Sequence, residues 1–277
     1  MTATTARSTA PVATLRGAGF GRVLLAEWTK IRSVRSTIWS LIALVVLDLT
    51  FTALFTLLNE TQWDNNDPQF RARFVADPTS LILGGGLQLG QLAICVLGVM
   101  VITAEYSTGT IRASLLAVPR RLPVLAAKSI VFGLLVLALG TGVSFASFFI
   151  GAPILHSKAP VALGDPGVLR AVLGGGLYLA MLGLFALAVG AIIRHTAGGI
   201  TAVVALAFVL SIVSQLLSGS LGKHMRAYLP IQAGGLITHA QQSQNDLLTP
   251  WQGYAVFAAW TLLLLLIAAI LLRRRDT

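Results

Sequence analysis

Charge is what this chain has least of. Only 11% of its residues are Asp, Glu, Lys or Arg, against 56% that are hydrophobic, and its acids number ten. So little charge cannot clothe a water-soluble domain of this length. Cysteine is nearly missing too: Cys95 stands alone, so no disulfide can form within the chain. The histidines at 156, 195, 224 and 239 are scattered, with no His-x-x-x-His pair to hold zinc on one helix face. Glycine is abundant, yet no Gly-x-x-x-x-Gly-Lys-Ser/Thr occurs. Gly222-Lys223-His224 lacks both the earlier glycine and the hydroxyl residue of a phosphate loop. Glycine-flanked nucleophiles and catalytic carboxylate pairs are missing as well. These absences argue against an enzyme, against a metal site and against a nucleotide bound by this chain.

What the sequence does have is long apolar runs, with a mean hydropathy of +0.82. Crossing the ~30 Å of bilayer hydrocarbon takes ~20 apolar residues. Six segments reach that length: 38–58, 80–104, 130–152, 171–193, 197–217 and 251–272. In lipid each must be a helix, because backbone groups find no other partners there. The expected fold is an all-α integral membrane protein, with residues 20–277 as one transmembrane domain. Residues 1–19 are rich in Ala, Thr and Ser without an apolar core. They read as a disordered tail rather than a cleavable signal.

The net charge of +10 is unevenly spread. Six spans put fourteen of the twenty Lys and Arg on the side of the amino terminus and six on the other. That asymmetry places both termini in the cytoplasm of a cell membrane. It directs the basic excess to anionic lipid and protein rather than to nucleic acid.

Several polar features stand out against this background. From Phe20 to Ile38 an amphipathic helix is expected, with Phe20, Val23, Leu24, Trp28, Ile31, Val34 and Ile38 on one stripe. Glu27 sits within that stripe, either paired with Lys30 one turn on or pointed at a partner. Asp48 lies midway along the first span, where an ionisable group should not face lipid. Either it is a structural, hydrogen-bonded group, or it lines a pathway or dimer seam; Gln88 and Gln91 are further pathway or interface candidates. Leu83-Gly84-Gly85-Gly86-Leu87 recurs ninety positions later as Leu173-Gly174-Gly175-Gly176-Leu177, with Gly109 aligned to Gly199. Such glycines suit close helix packing. Residues 218–250 are too long for a turn and too polar to span, which suggests short helices that dip into the outer leaflet and return.

The most patterned segment is 105–128, EYSTGTIRASLLAVPRRLPVLAAK, a polar and basic island between two spans. Its motif runs Glu105-Tyr106-Ser107-Thr108-Gly109-Thr110-Ile111-Arg112 to Val118-Pro119-Arg120-Arg121, then Ala126-Ala127-Lys128. Upstream lies Glu27-Trp28-Thr29-Lys30-Ile31-Arg32-Ser33 with Arg35-Ser36-Thr37, and downstream Tyr228-Leu229-Pro230 to Ala233-Gly234. On these residues the chain resembles the membrane-spanning permease subunit of an ABC-2 type exporter of prokaryotes.

The resemblance implies an N-terminal amphipathic connecting helix, a cytoplasmic coupling helix and short re-entrant outer helices. It implies two copies of a separate ABC ATPase that binds ATP and Mg, and a second permease copy, identical or not. Carried onto this chain, the ATPase-coupling residues are Glu105, Tyr106, Thr108, Gly109, Thr110, Arg112, Arg120 and Arg121. The connecting helix carries Glu27, Trp28, Lys30, Arg32 and Arg35. Glu105 and Arg112, seven apart on one helix face, lead as contacts to the ATPase or to the connecting helix. Export of a hydrophobic or amphipathic drug or antibiotic is the expected activity. Peptide-antibiotic immunity, lipid export, an ion-coupled transporter using Asp48, and a non-transporting anchor or sensor are the alternatives.

Overall fold

The computed structural model describes residues 19–109, 121–216, 219–243 and 246–274, and these are helical with no strand among them. Six helices are long and apolar enough to cross a membrane. The first helix, α1, runs Phe20–Ser33. The first span, α2, is Arg35–Thr61, and a short α3, Pro68–Ala76, follows it. The next spans are α4, Pro78–Ser107, α5, Arg121–Leu155, and α6, Val168–Ile193. The fifth span, α7, begins as Thr196–Val204, passes through a π-helical stretch at Ala205–Val209 and ends as Leu210–Leu216. Two short helices, α8 (Gly219–Tyr228) and α9 (Pro230–Gly235), lead to the last span, α10, Pro250–Arg274.

Local chemistry sets the boundaries. Asp77 caps α4 by accepting from the Ser80 amide, with Pro78 in the first turn. Gly109, at φ +71°, follows Thr108 at the other end and takes the left-handed conformation that stops a helix. One expectation needs correction. The amphipathic helix does not continue to Ile38: it ends at Ser33, and Val34 is extended at φ −86°, ψ 109°. The Ser33 hydroxyl bonds back to the Lys30 carbonyl, and β-branched Val34 suits the extended state. α1 and α2 are thereby freed to take separate directions.

α6 is the buried axis, with 72% of its apolar window enclosed against 17% for α7. It lies against α4, α5 and α10. The two triple-glycine runs are indeed contact surfaces. A methyl on Gly86 would run into Asp48 and Thr52 of α2, and one on Gly176 into Thr141 of α5. Between the two repeats, a Cβ on Gly98 would come within 2.6 Å of the Gly183 carbonyl, so α4 and α6 touch almost backbone to backbone. The aligned pair Gly109 and Gly199 is not equivalent: one ends α4, the other sits inside α7 against Val99.

α8 and α9 turn back onto the last span, where Gly253 faces the Ala233 carbonyl and Gly234 faces the Phe257 ring. At that end of the bundle Trp63 packs with Leu81, Leu155 and Ala159. The opposite end gathers α1, the end of α4, the start of α5, the α6–α7 turn and the end of α10.

Candidate functional site

α1 presents Val23, Glu27 and Ile31, one helical turn apart, as its buried line. Val23 meets Val124 and Ala127 of α5, so the turn above it carries Glu27 to the next α5 position on that face, Lys128. The Lys128 ammonium donates to Glu27 Oε2 at 2.7 Å and to Glu105 Oε1 at 2.9 Å. Lys30 donates to Glu27 Oε1 at 2.7 Å and to the same Glu105 Oε1 at 3.0 Å. Four charges close a ring joining α1, the end of α4 and the start of α5. Glu27 and Lys128 are each 2% exposed. Burial pulls on the Lys30 ammonium to lower its pKa, yet bonds and attraction from Glu27 and Glu105 hold it above its ordinary value.

Both expected partners of Glu27 therefore need restating. It does pair with Lys30, and its second oxygen faces inward to a lysine 101 residues away. Glu105 is buried as well and reaches the connecting helix through Lys30. Charge signs could have found Lys128: it is a lone cation eight positions into an apolar helix, where a partner is required.

The remaining residues of the expected site divide by exposure. Trp28, Arg32 and Arg35 are exposed on α1 and at the start of α2, and Thr108 and Gly109 are exposed at the end of α4. Arg121 opens α5. Thr110, Arg112 and Arg120 lie outside the described residues, with the rest of the 110–120 segment.

Tyr106, next to Glu105, faces another way. The Arg194 guanidinium lies 5.1 Å from its ring centroid and donates to the Leu271 carbonyl at 3.3 Å. Arg194 caps α6 in the left-handed region, φ 61°, which is costly for a side chain with a Cβ. Two adjacent residues at the end of α4 thus hold opposite sides of the bundle. Glu105 holds α1 and α5; Tyr106 holds the α6 turn and, through Arg194, the end of α10. Composition offered no cue to Arg194 beyond its place at a span end.

The mid-span candidates are separate from this site. Asp48 is 1% exposed, and its Oδ1 accepts from the Ser147 hydroxyl of α5 at 2.8 Å. Thr52 donates to the same hydroxyl oxygen at 3.2 Å. Gly86 and Gly90 of α4 leave room for the carboxyl. Gln91 is buried and accepts from the Tyr178 hydroxyl at 2.7 Å, whereas Gln88 is exposed. No group of three or more His, Cys, Asp or Glu that could hold a metal ion occurs among the described residues.

A family model described as ABC-2 family transporter protein matches residues 23–215. No curated protein matches the chain. The matched stretch contains all four members of the ion ring and the Arg194 contact, and it ends within α7.

Proposed function

This chain belongs to the ABC-2 transporter family and is the membrane component of an ABC transporter; on that premise we propose that the ring of Glu27, Lys30, Glu105 and Lys128 is the joint through which an ATPase moves the spans. The family implies an ABC ATPase partner and a transport subunit that is not itself catalytic. The observation that carries the proposal is the placement of Glu105 and Lys128. They flank the segment that connects α4 to α5, and both are bonded to α1. A partner that pushes on that loop must move α1 with it or break a buried ion pair, which costs about 3–5 kcal/mol when one partner is lost.

In this reading two ATPase copies bind ATP and Mg and dock on the loop of each of two permease copies. Both termini and the ring lie on the cytoplasmic side of a prokaryotic cell membrane. Nucleotide binding shifts the bundle from inward-open to outward-open only if the ATPase contacts the loop differently in the two states. Exposed Thr108 and Gly109 are the surface for that contact, and Arg112, which follows in the sequence, is the further candidate. Glu105 acts behind them, as a positioning residue. The cargo is a hydrophobic or amphipathic small molecule of drug or antibiotic type, moved outward.

Asp48 supports a fastening role in place of an ion pathway, because it sits in a glycine-lined socket between α2, α4 and α5. The test is a Lys128→Met variant co-expressed with the ATPase and reconstituted in vesicles. Export per ATP hydrolysed should fall sharply while the complex still assembles, and Arg112→Ala should uncouple it as well. Unchanged export per ATP in both variants would overturn the assignment.

A further inference from the structure

We infer that Arg194 is a positioning residue that makes the last span follow the end of α4. It ties the final turn of α10 to Tyr106, so that the two shift together when an ATPase moves the α4–α5 connection. This rests on the coupling reading above and adds a second output to it, away from the ion ring. Arg194 has φ 61° and ψ 12°, the one positive φ outside glycine among the described residues. Its backbone N–H donates to the Gly190 carbonyl at 2.8 Å and so closes α6. Glycine would close the helix there without strain, whereas a Cβ crowds the left-handed region. The helix end alone therefore gives no reason for an arginine, and its side chain carries the explanation.

The guanidinium reaches two helices at once. It lies 5.1 Å from the Tyr106 ring centroid, within the range of a cation–π contact. It also donates to the Leu271 carbonyl at 3.3 Å. Leu271 is in the last turn of α10, where carbonyls have no partner inside the helix and a cation is favoured. A planar fork can face a ring and still donate from its edge, which a lysine ammonium does not do. The α6–α7 turn has its own hold on α4, independent of this side chain. Thr196 donates to the Thr103 hydroxyl at 2.9 Å, one turn before Tyr106, and a Cβ on Gly190 would come within 3.1 Å of the Val99 backbone. What Arg194 adds to that hold is the end of α10.

The test reads the distance between nitroxide labels at Ala104→Cys on α4 and Ile270→Cys on α10, both exposed positions. Cys95 is buried, so it stays unlabelled. Labelled chain is diluted with unlabelled chain in lipid nanodiscs, so that each pair is read alone. Without ATPase or nucleotide, the pair should give one narrow distance. Arg194→Gly, which relieves the backbone and removes the side chain, should lose that narrow distance while melting close to the parent. If Arg194→Gly does not fold, Tyr106→Leu leaves the end of α6 intact and carries the same expectation. The double variant should be no broader than either single, because the two residues act as one contact. In the complex with the co-expressed ATPase, ATP and Mg should leave the parent distance unchanged and shift it in Arg194→Gly.

A narrow distance that survives both variants would overturn the inference and leave Arg194 as a helix cap only. A melting point that falls with the distance unchanged would say the same. A broad distance in the parent would show that no tie exists. If ATP shifts the parent as much as Arg194→Gly, the end of α10 does not follow α4 and the inference also fails. The Lys128→Met measurement above tests the ring without reference to α10, so a failure of the coupling reading is told apart from a failure of Arg194.

Discussion

Two buried polar clusters hold this bundle, and they are built on different principles. Mid-span, Asp48 is a lone ionisable side chain met by the hydroxyl of Ser147, which Thr52 bonds in turn, in a socket made by Gly86 and Gly90. At the end of α4, four full charges satisfy one another in a ring. The depth explains the contrast. In the hydrocarbon, a carboxyl is best kept among neutral hydroxyls and small residues that let helices close on it. Toward the end of a span paired charges can be buried, and here they tie α1 to the end of α4 and the start of α5. The first cluster fastens helices at mid-span; the second joins three helices where their ends meet.

Five substitutions break or sharpen that contrast, the first four from the largest effect to the smallest and the fifth as a direct comparison. Lys128→Met leaves Glu27 and Glu105 buried with one lysine between them, and should cost about 3–5 kcal/mol. A fall in the thermal midpoint of the detergent-solubilised protein checks it, and a wild-type midpoint would show that the ring bears no load. Gly86→Val places a branched side chain against Asp48 and Thr52. It should cost about 1–3 kcal/mol, the usual range for overpacking, read from the same melting curve.

Ser147→Ala removes one hydrogen bond from Asp48 and should cost about 1 kcal/mol. Asp48→Asn keeps the shape and the acceptor for Ser147, so it should cost less than about 1 kcal/mol and leave transport intact. Export that disappears in Asp48→Asn, with folding unchanged, would turn the mid-span cluster into part of an ion pathway. The same conservative change in the ring, Glu105→Gln, should be felt more strongly than Asp48→Asn. If the two were equal, the distinction between a neutral socket and a charged ring would fail.

Most spans were legible to within a few residues, because a run of twenty apolar positions has one physical meaning in lipid; the third was not, since α5 begins at Arg121 where 130 was expected and so takes in Lys128. α2 is Arg35–Thr61 where 38–58 was expected, and α10 is Pro250–Arg274 where 251–272 was expected. The triple glycines were legible as packing surfaces for a similar reason: their lack of side chains is itself the signal. The break at Val34 was not legible, since no proline or glycine marks it and the apolar stripe runs on past it. The exposure of Gln88 and the burial of Gln91, three positions apart, likewise depended on which face of α4 meets α6.

What the sequence determined by itself was the helical class, the number of spans and which end of them carries more lysine and arginine. These depend on hydropathy and charge counted along the chain, and they are indifferent to which helix neighbours which. Only the tertiary structure decided that Glu27 would meet Lys128, 101 residues away, and that Glu105 would turn inward to share their ring. It also decided that Tyr106 would face Arg194 on the other side. Electrostatic pairing acts through a few ångströms of space, and the order in which six helices pack sets those distances.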